Sequence, residues 1–153
     1  KAFENAKTPI VRSATLGALG DVNDAKLARI VLDYSLTPAV NSTEFLTILQ
    51  SVGANPALRD LAIDWTIEHY DAIAAKAPPQ YTAGLIRVAA GGEPAQFNRL
   101  RDFLLAPGRK TEFSAVNITK SAERLNLRMR LREKEQANVA RFLKTYPGQP
   151  LKD

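Results

Sequence analysis

The segment NPALRDLAIDW, residues 55–65, carries the clearest helix signal in this chain of 153 residues. Asn55 is a favourable N-cap residue, and Pro56 suits the first position of a helix, where its missing N–H has no partner to lose. Apolar side chains then recur at helical spacing on one face, at Leu58, Leu61, Ala62 and Trp65. These signals predict a long helix from Asn55 to the pair Pro78-Pro79.

Capping and breaking residues recur on both sides of this segment and predict further helices. Thr8-Pro9 begins one helix, and Asn41 with Glu44 has the spacing of a capping box at the start of another. Each predicted helix carries apolar residues at helical spacing. The predicted ends fall at Gly20, before Pro38, and at Gly53, Gly91-Gly92 and Pro107-Gly108.

The last region, from about Thr111 to Tyr146, contains no breaker. A single helix of this length would extend about 50 Å at 1.5 Å per residue, which is long for a domain of this size. The apolar stripe through Ile118 and Leu125 does not continue in phase with the stripe through Val139 and Phe142. The sequence therefore predicts two helices here, with a break near residues 130–136.

No segment has the alternation of a strand, so the predicted fold class is all-α, with about eight helices. Helix pairs recur at roughly 30–40 residues, a period typical of helical repeat proteins. The pattern predicts a superhelical array of antiparallel helix pairs of the HEAT or armadillo kind, with a compact bundle as the alternative. We expect a single domain over residues 1–146 and a C-terminal tail over residues 147–153.

Composition and charge narrow the classes of function. The chain has no cysteine, which excludes disulfides and thiolate metal sites, and no apolar run approaches the roughly 20 residues of a membrane-spanning helix. The net charge is +5. Residues 1–119 are balanced, so the excess of basic side chains lies in residues 120–144. The cations Lys120, Arg124, Arg128 and Arg132 follow i, i+4 spacing.

This basic stripe is most simply a solvated helix face, but it also suits a surface that attracts carboxylates. Nucleic acid is a weaker interpretation, because no aromatic residues alternate with the cations, and we expect no nucleic-acid partner. His69 is the single histidine, and no second histidine stands four residues away. A packed histidine is therefore favoured over a zinc ligand, and no G-x-S-x-G or phosphate-loop motif is present.

Three segments together resemble the C-terminal helical domain of zinc-dependent aminopeptidases, the gluzincin family of aminopeptidase N and of the puromycin-sensitive and endoplasmic-reticulum aminopeptidases. The first is VRSATLGALG, residues 11–20, with the Asp24 helix that follows. The second is residues 55–65 with EHYD, residues 68–71, and the third is NVARFL, residues 138–143. Their order and spacing are similar to those of the family over nearly the whole chain.

The resemblance implies that the chain is the non-catalytic C-terminal part of an enzyme that removes N-terminal amino acids from peptides. Zinc and the catalytic residues would then lie in an upstream domain of the parent, with no cofactor and no catalytic or metal-binding residue in this part. A curved helical array has a concave face that would close the substrate chamber, and this part would pack on the catalytic domain. Cations on that face would hold the carboxylate of a peptide substrate, and the candidates are Arg87, Arg124 and Arg128.

Two other functions stay open at this point. The chain is alternatively a stand-alone helical-repeat module for protein interaction, which would need polar outer faces on its terminal repeats. A basic nucleic-acid-binding domain that uses residues 120–144 is the other alternative, and its affinity would fall steeply with salt. The sequence gives no basis for a cellular localisation.

Overall fold

The computed structural model describes residues 2–146, and within that range the chain forms eight α-helices and one 3-10 helix. The predicted tail over residues 147–153 lies outside the described residues. The helices are α1 Pro9–Gly20, α2 Ala25–Ser35, α3 Phe45–Ala54, α4 Arg59–Glu68, α5 Tyr70–Lys76, α6 Pro79–Thr82, η1 Leu85–Ala89 (the 3-10 helix), α7 Pro94–Leu105 and α8 Glu112–Thr145.

Side chains cap the first two helices as their sequences predict. The Thr8 hydroxyl oxygen accepts the Val11 N–H at 3.3 Å, and Pro9 follows as the first residue of α1. The Asp24 carboxylate accepts two N–H groups of the first turn of α2, both at 2.9 Å. These bonds satisfy backbone donors that have no partner inside the helix.

Helix α3 lies at the centre of the domain and contacts α1, α2, α4 and η1. Phe45, Ile48, Leu49 and Val52 of this helix are fully buried. A capping box has two hydrogen bonds, and one of the two predicted here forms. The Glu44 carboxylate accepts the Asn41 N–H at 2.8 Å. Glu44 also accepts two N–H groups of Arg12 at 2.6 and 2.8 Å, and this pair joins the start of α3 to α1. The largest fully buried side chains are Trp65, Phe45, Phe97, Leu32, Ile48, Leu49, Ile63 and Ile73.

The single long helix predicted from Asn55 to Pro78-Pro79 is wrong, because the chain forms two helices there, α4 and α5, and α6 begins at Pro79. The Asn55 side chain accepts the Ala57 N–H at 3.0 Å in a turn, and α4 begins at Arg59, three residues after the predicted first position Pro56. The break between α4 and α5 falls at His69. Its ring stacks on Trp65 with 4.7 Å between centroids, and Nδ1 lies 3.0 Å from the Trp65 carbonyl oxygen. The change of direction brings Ile73 into the core.

The break predicted near residues 130–136 is also wrong, because α8 is one helix of 34 residues. A helix needs to bend at a change of apolar phase only if both apolar stripes pack against the same core. No residue between 126 and 145 is buried, so the second stripe does not pack and α8 stays continuous. Strong helix formers, mostly Leu, Arg, Met, Lys, Glu, Gln and Ala, then keep this part helical. The first half of α8 packs on α6, α7 and η1 through a face that includes Ile118 and Leu125.

The all-α fold class and the count of about eight helices are confirmed for residues 2–146, which contain no strand. The superhelical arrangement of antiparallel pairs stays a prediction. Gly108 is the one residue of this range with a positive φ, at 84°, and it forms the turn between α7 and α8 that Pro107-Gly108 predicts. None of the helices in residues 2–146 is both long and apolar enough to cross a membrane.

Candidate functional site

The candidate site lies where α8 crosses the turn between η1 and α7. Arg128, one of the three predicted arginines, reaches this turn from α8. Its guanidinium donates to the Ala90 carbonyl oxygen at 2.9 Å and to the Gly92 carbonyl oxygen. Two of its five N–H groups are thus used to fix α8 on the turn, and the side chain stays partly exposed.

A second arginine lies close to the same turn. Arg59, at the start of α4, is 7% exposed and donates to the carbonyl oxygens of Gly53 and Ala54 at 2.8 and 3.0 Å. A side chain on Gly92 would meet the Arg59 side chain, because a Cβ there would lie 2.8 Å from Cδ. The pair Gly91-Gly92 is therefore a point of close approach between the turn and α4.

The start of α7 forms the third wall of the site. The Glu93 N–H donates to the Gln96 side chain at 3.0 Å, and Gln96 donates in turn to Asp60 of α4 at 3.0 Å. Arg132 of α8 donates to the Glu93 carboxylate at 3.0 Å. A surface cavity of about 410 Å³ lies in this corner. It is lined by Glu93, Met129, Arg132, Glu133 and Gln136.

The other two predicted arginines are exposed beside this corner. Arg87 lies on η1, and Arg124 lies on α8 one turn before Arg128. Neither side chain makes a hydrogen bond or an ion pair with another residue of 2–146. Their N–H groups are thus available to an anion in solvent, whereas those of Arg128 are partly occupied.

His69 is packed against a neighbouring aromatic side chain. Its ring packs on Trp65, and the Trp65 indole N–H donates to the Asp33 carboxylate at 2.7 Å. This confirms the prediction of a packed histidine. Residues 2–146 contain no group of three or more His, Cys, Asp or Glu side chains placed to hold a metal ion.

The sequence does not predict two features of the structure, namely the buried Arg59 and an apolar surface on α1 and α2. It did not single out Arg59, although a charged residue in the first turn of an otherwise apolar helix face was a visible signal. It also missed an apolar surface on α1 and α2, where Ile10 and Ile30 are 82% and 62% exposed. A cleft of about 410 Å³ opens beside this surface. Its lining includes Phe3, Leu19, Val31 and Tyr34.

Together these features describe an all-helical domain with two exposed surfaces. The basic edge consists of the exposed arginines on η1 and α8, and the apolar end face consists of the apolar surface on α1 and α2. Residues 1–125 match the family described as ERAP1-like C-terminal domain, and the chain belongs to this family. The predicted resemblance to aminopeptidase C-terminal domains is thereby confirmed over residues 1–125, whereas the third segment, residues 138–143, lies outside the match and stays a prediction. Comparison with curated proteins gave no match, and comparison with solved structures gave none either.

Proposed function

We propose that this chain is the C-terminal, substrate-chamber part of a zinc aminopeptidase that removes N-terminal amino acids from peptides. The family match over residues 1–125 carries this proposal. In this proposal zinc and the catalytic groups belong to another domain of the parent. Residues 2–146 contain no group of three or more His, Cys, Asp or Glu side chains that could hold a metal ion. This part is non-catalytic, and it acts by shaping and closing the space in which peptides bind.

The cations of the α8–η1 corner are the proposed contacts for peptide. Arg87 and Arg124 are exposed and unpaired within residues 2–146, which supports a role in holding a carboxylate. Arg128 supports them in two ways, because it fixes α8 on the turn and keeps three N–H groups available. A peptide substrate supplies the carboxylate at its C-terminus, which remains fixed in place while the N-terminus reaches the catalytic domain.

The apolar end face on α1 and α2 is the proposed contact with the rest of the enzyme. Ile10 and Val11 of α1 and Leu27 and Ile30 of α2 are exposed, and Ile30 lines the cleft with Phe3 and Tyr34. Several large exposed apolar side chains beside an apolar cleft are more typical of an interface than of a solvated face. Packing of the upstream domain on this end would orient the basic edge toward the chamber.

A binding experiment on the 153-residue chain tests the carboxylate contact. Fluorescence anisotropy compares a labelled nonapeptide that ends in a free carboxylate with the same peptide ending in an amide. We expect tighter binding of the free carboxylate, and we expect Arg87→Gln with Arg124→Gln to remove that difference. The control is Lys110→Gln, which removes an exposed cation of the α7–α8 turn and should leave the difference unchanged. Equal affinity for both peptides would contradict the proposed contact.

The same variants in the parent aminopeptidase test the chamber role. Replacing Arg87, Arg124 and Arg128 by Gln should raise KM for long peptides more than for dipeptide analogues, because only long peptides reach the corner. The kcat for the dipeptide analogue should stay constant. An equal rise in KM for both substrates would argue against the chamber role.

A second candidate is a stand-alone helical module for protein interaction. The exposed second half of α8 favours it, since this half packs on nothing within residues 2–146 after it leaves the corner. Detection of zinc-dependent aminopeptidase activity in the purified natural protein would decide for the enzyme, and its absence would favour the module.

A further inference from the structure

The distal segment of α8, defined here as residues 127–145, projects beyond the part that matches the family. The match ends at residue 125, and no residue of the distal segment is buried. Arg128, Met129 and Arg132 hold its base to the body. From residue 133 onward, the side-chain hydrogen bonds of α8 join only residues of α8. About 20 Å of helix therefore stands free of the body at 1.5 Å per residue.

A row of cations runs along the distal segment. Arg130, Lys134, Arg141 and Lys144 are separated by four, seven and three residues, which places them on one side of the helix. All four side chains are exposed, and none has an ion pair or a side-chain hydrogen bond within residues 2–146. The segment as a whole has six basic and two acidic residues.

An apolar row lies beside the cations. Leu127, Leu131 and Phe142 are 69%, 59% and 58% exposed and follow helical spacing on one side. Leu127 is two residues from the buried Leu125, which turns it by about 200° around the helix and away from the core. The apolar row thus faces outward, where the rest of the domain cannot cover it.

The chemistry of the two rows selects one kind of occupant. A second copy would bring like charges together, which is unfavourable at a helix interface. Five large apolar side chains of the segment are exposed, namely Leu127, Leu131, Val139, Phe142 and Leu143. A membrane surface would need an uninterrupted apolar face, whereas Arg128, Arg132 and Glu135 line the same groove as Leu131, Val139 and Leu143. An amphipathic helix with its own apolar row beside a row of carboxylates complements both features.

We propose that the distal segment of α8 is a docking surface for an acidic amphipathic helix of a partner protein. The apolar rows of the two helices pack together, and the partner's carboxylates pair with the four free cations. The proposal does not depend on the catalytic identity of the parent, because neither row includes an arginine of the candidate peptide site.

The test uses the 153-residue chain and a labelled peptide of about 21 residues, long enough to span the segment as a helix. The peptide has leucines on one helical row and glutamates on the adjacent row, and a scrambled peptide of equal composition is the reference. We expect binding at least tenfold tighter than the scrambled peptide. Arg130→Glu with Lys134→Glu should weaken binding at least tenfold, and so should Leu131→Asp.

The matched control is Lys110→Glu with Lys120→Glu, which makes the same charge change at exposed positions outside the distal segment. Circular dichroism shows that each variant keeps its helices. Equal weakening by the control pair would overturn the proposal, because attraction would then be non-specific. Two other results would overturn it as well. These are tighter binding to vesicles of anionic phospholipid than to the peptide, and a dimer in sedimentation that Leu131→Asp dissociates.

Discussion

Arg59 is the charged residue that the fold buries most deeply among residues 2–146. Its guanidinium lies at the C-terminal end of α3 and donates to the carbonyl oxygens of Gly53 and Ala54. Carbonyl groups at this end of a helix have no intrahelical partner, and the helix dipole makes them favourable neighbours for a cation. A carboxylate is thus not required to keep this charge in the interior.

Replacing Arg59 by Met should lower the free energy of unfolding by about 1–3 kcal/mol, because the buried carbonyl groups lose their donors. Urea unfolding followed by circular dichroism measures the change. The control is Arg101→Met, whose exposed side chain bonds only to Asn98 and Asp102 nearby on α7. Its effect should stay within about 0.5 kcal/mol. Equal losses in both variants would contradict the role given to Arg59.

Glu44 makes stability depend on pH. Its hydrogen bonds with Arg12 lower the pKa of the Glu44 carboxyl in the folded state, and the Asn41 N–H lowers it further. A carboxyl with a lowered folded-state pKa stabilises the fold above its unfolded-state pKa. This stabilisation is lost as the pH falls through the folded-state pKa.

We therefore expect Glu44→Gln to lose more unfolding free energy at about pH 7 than at about pH 3, because pH 3 lies below the ordinary glutamate pKa of about 4.3 and part of the stabilisation by the charged carboxylate is already lost there. Urea unfolding of both proteins at several pH values measures the difference. Asp102→Gln is the control, since Asp102 contacts only its neighbour Arg101. A Glu44→Gln defect that is constant from pH 3 to pH 7 would refute this interpretation.

At the scale of the element, α8 combines a packed half with an unpacked half. A proline within a helix costs about 3 kcal/mol or more where the helix must stay intact. Ala137→Pro lies in the unpacked half, so we expect a smaller helical signal but an unchanged midpoint of unfolding. Ala122→Pro lies where α8 packs against the core and should lower the midpoint strongly. A similar fall of the midpoint in both variants would show that the distal segment is coupled to the body.

The elements also show what local sequence can predict. Residues that act within one turn predicted the start of α1 at Thr8-Pro9 and the end of α7 at Pro107-Gly108. The break at His69 was missed, because it comes from a ring stack and the packing of Ile73, which no local breaker marks. The extra break predicted in α8 is wrong because a change of apolar phase requires a bend only where a helix packs, and beyond Arg132 the side-chain hydrogen bonds of α8 stay within α8.

In the candidate site, too, the sequence predicts local features but not contacts between distant parts of the chain. The sequence predicts Arg87, Arg124 and Arg128 as helical cations that contact a peptide carboxylate, and the structure places each of them on a helix. The partners of Arg128 are more than 30 residues away in the chain, so spacing alone could not predict them. The burial of Arg59 could not be predicted from local sequence either, because it depends on how α3 and the Gly91-Gly92 turn meet in the fold.

At the scale of the whole molecule, the apolar end face should control how the isolated chain behaves. Ile30→Glu should reduce self-association measured by sedimentation, and the free energy of unfolding should change by only about 0.5 kcal/mol, because Ile30 is exposed. Ile48→Glu places a charge in the core and should prevent folding. A strong loss of stability in Ile30→Glu would mean that this side chain is packed in solution.

The free-standing end of α8 also has a consequence for the lifetime of the protein. A helix without tertiary contacts opens locally far more often than a packed one, and proteases cut at such openings. Trypsin cleaves after arginine and lysine, and this stretch contains Lys134, Arg141 and Lys144 without salt-bridge partners in residues 2–146. Digestion should therefore trim the helix back toward the body first. A bound partner would protect these bonds, so the rate of clipping would report whether the stretch is occupied.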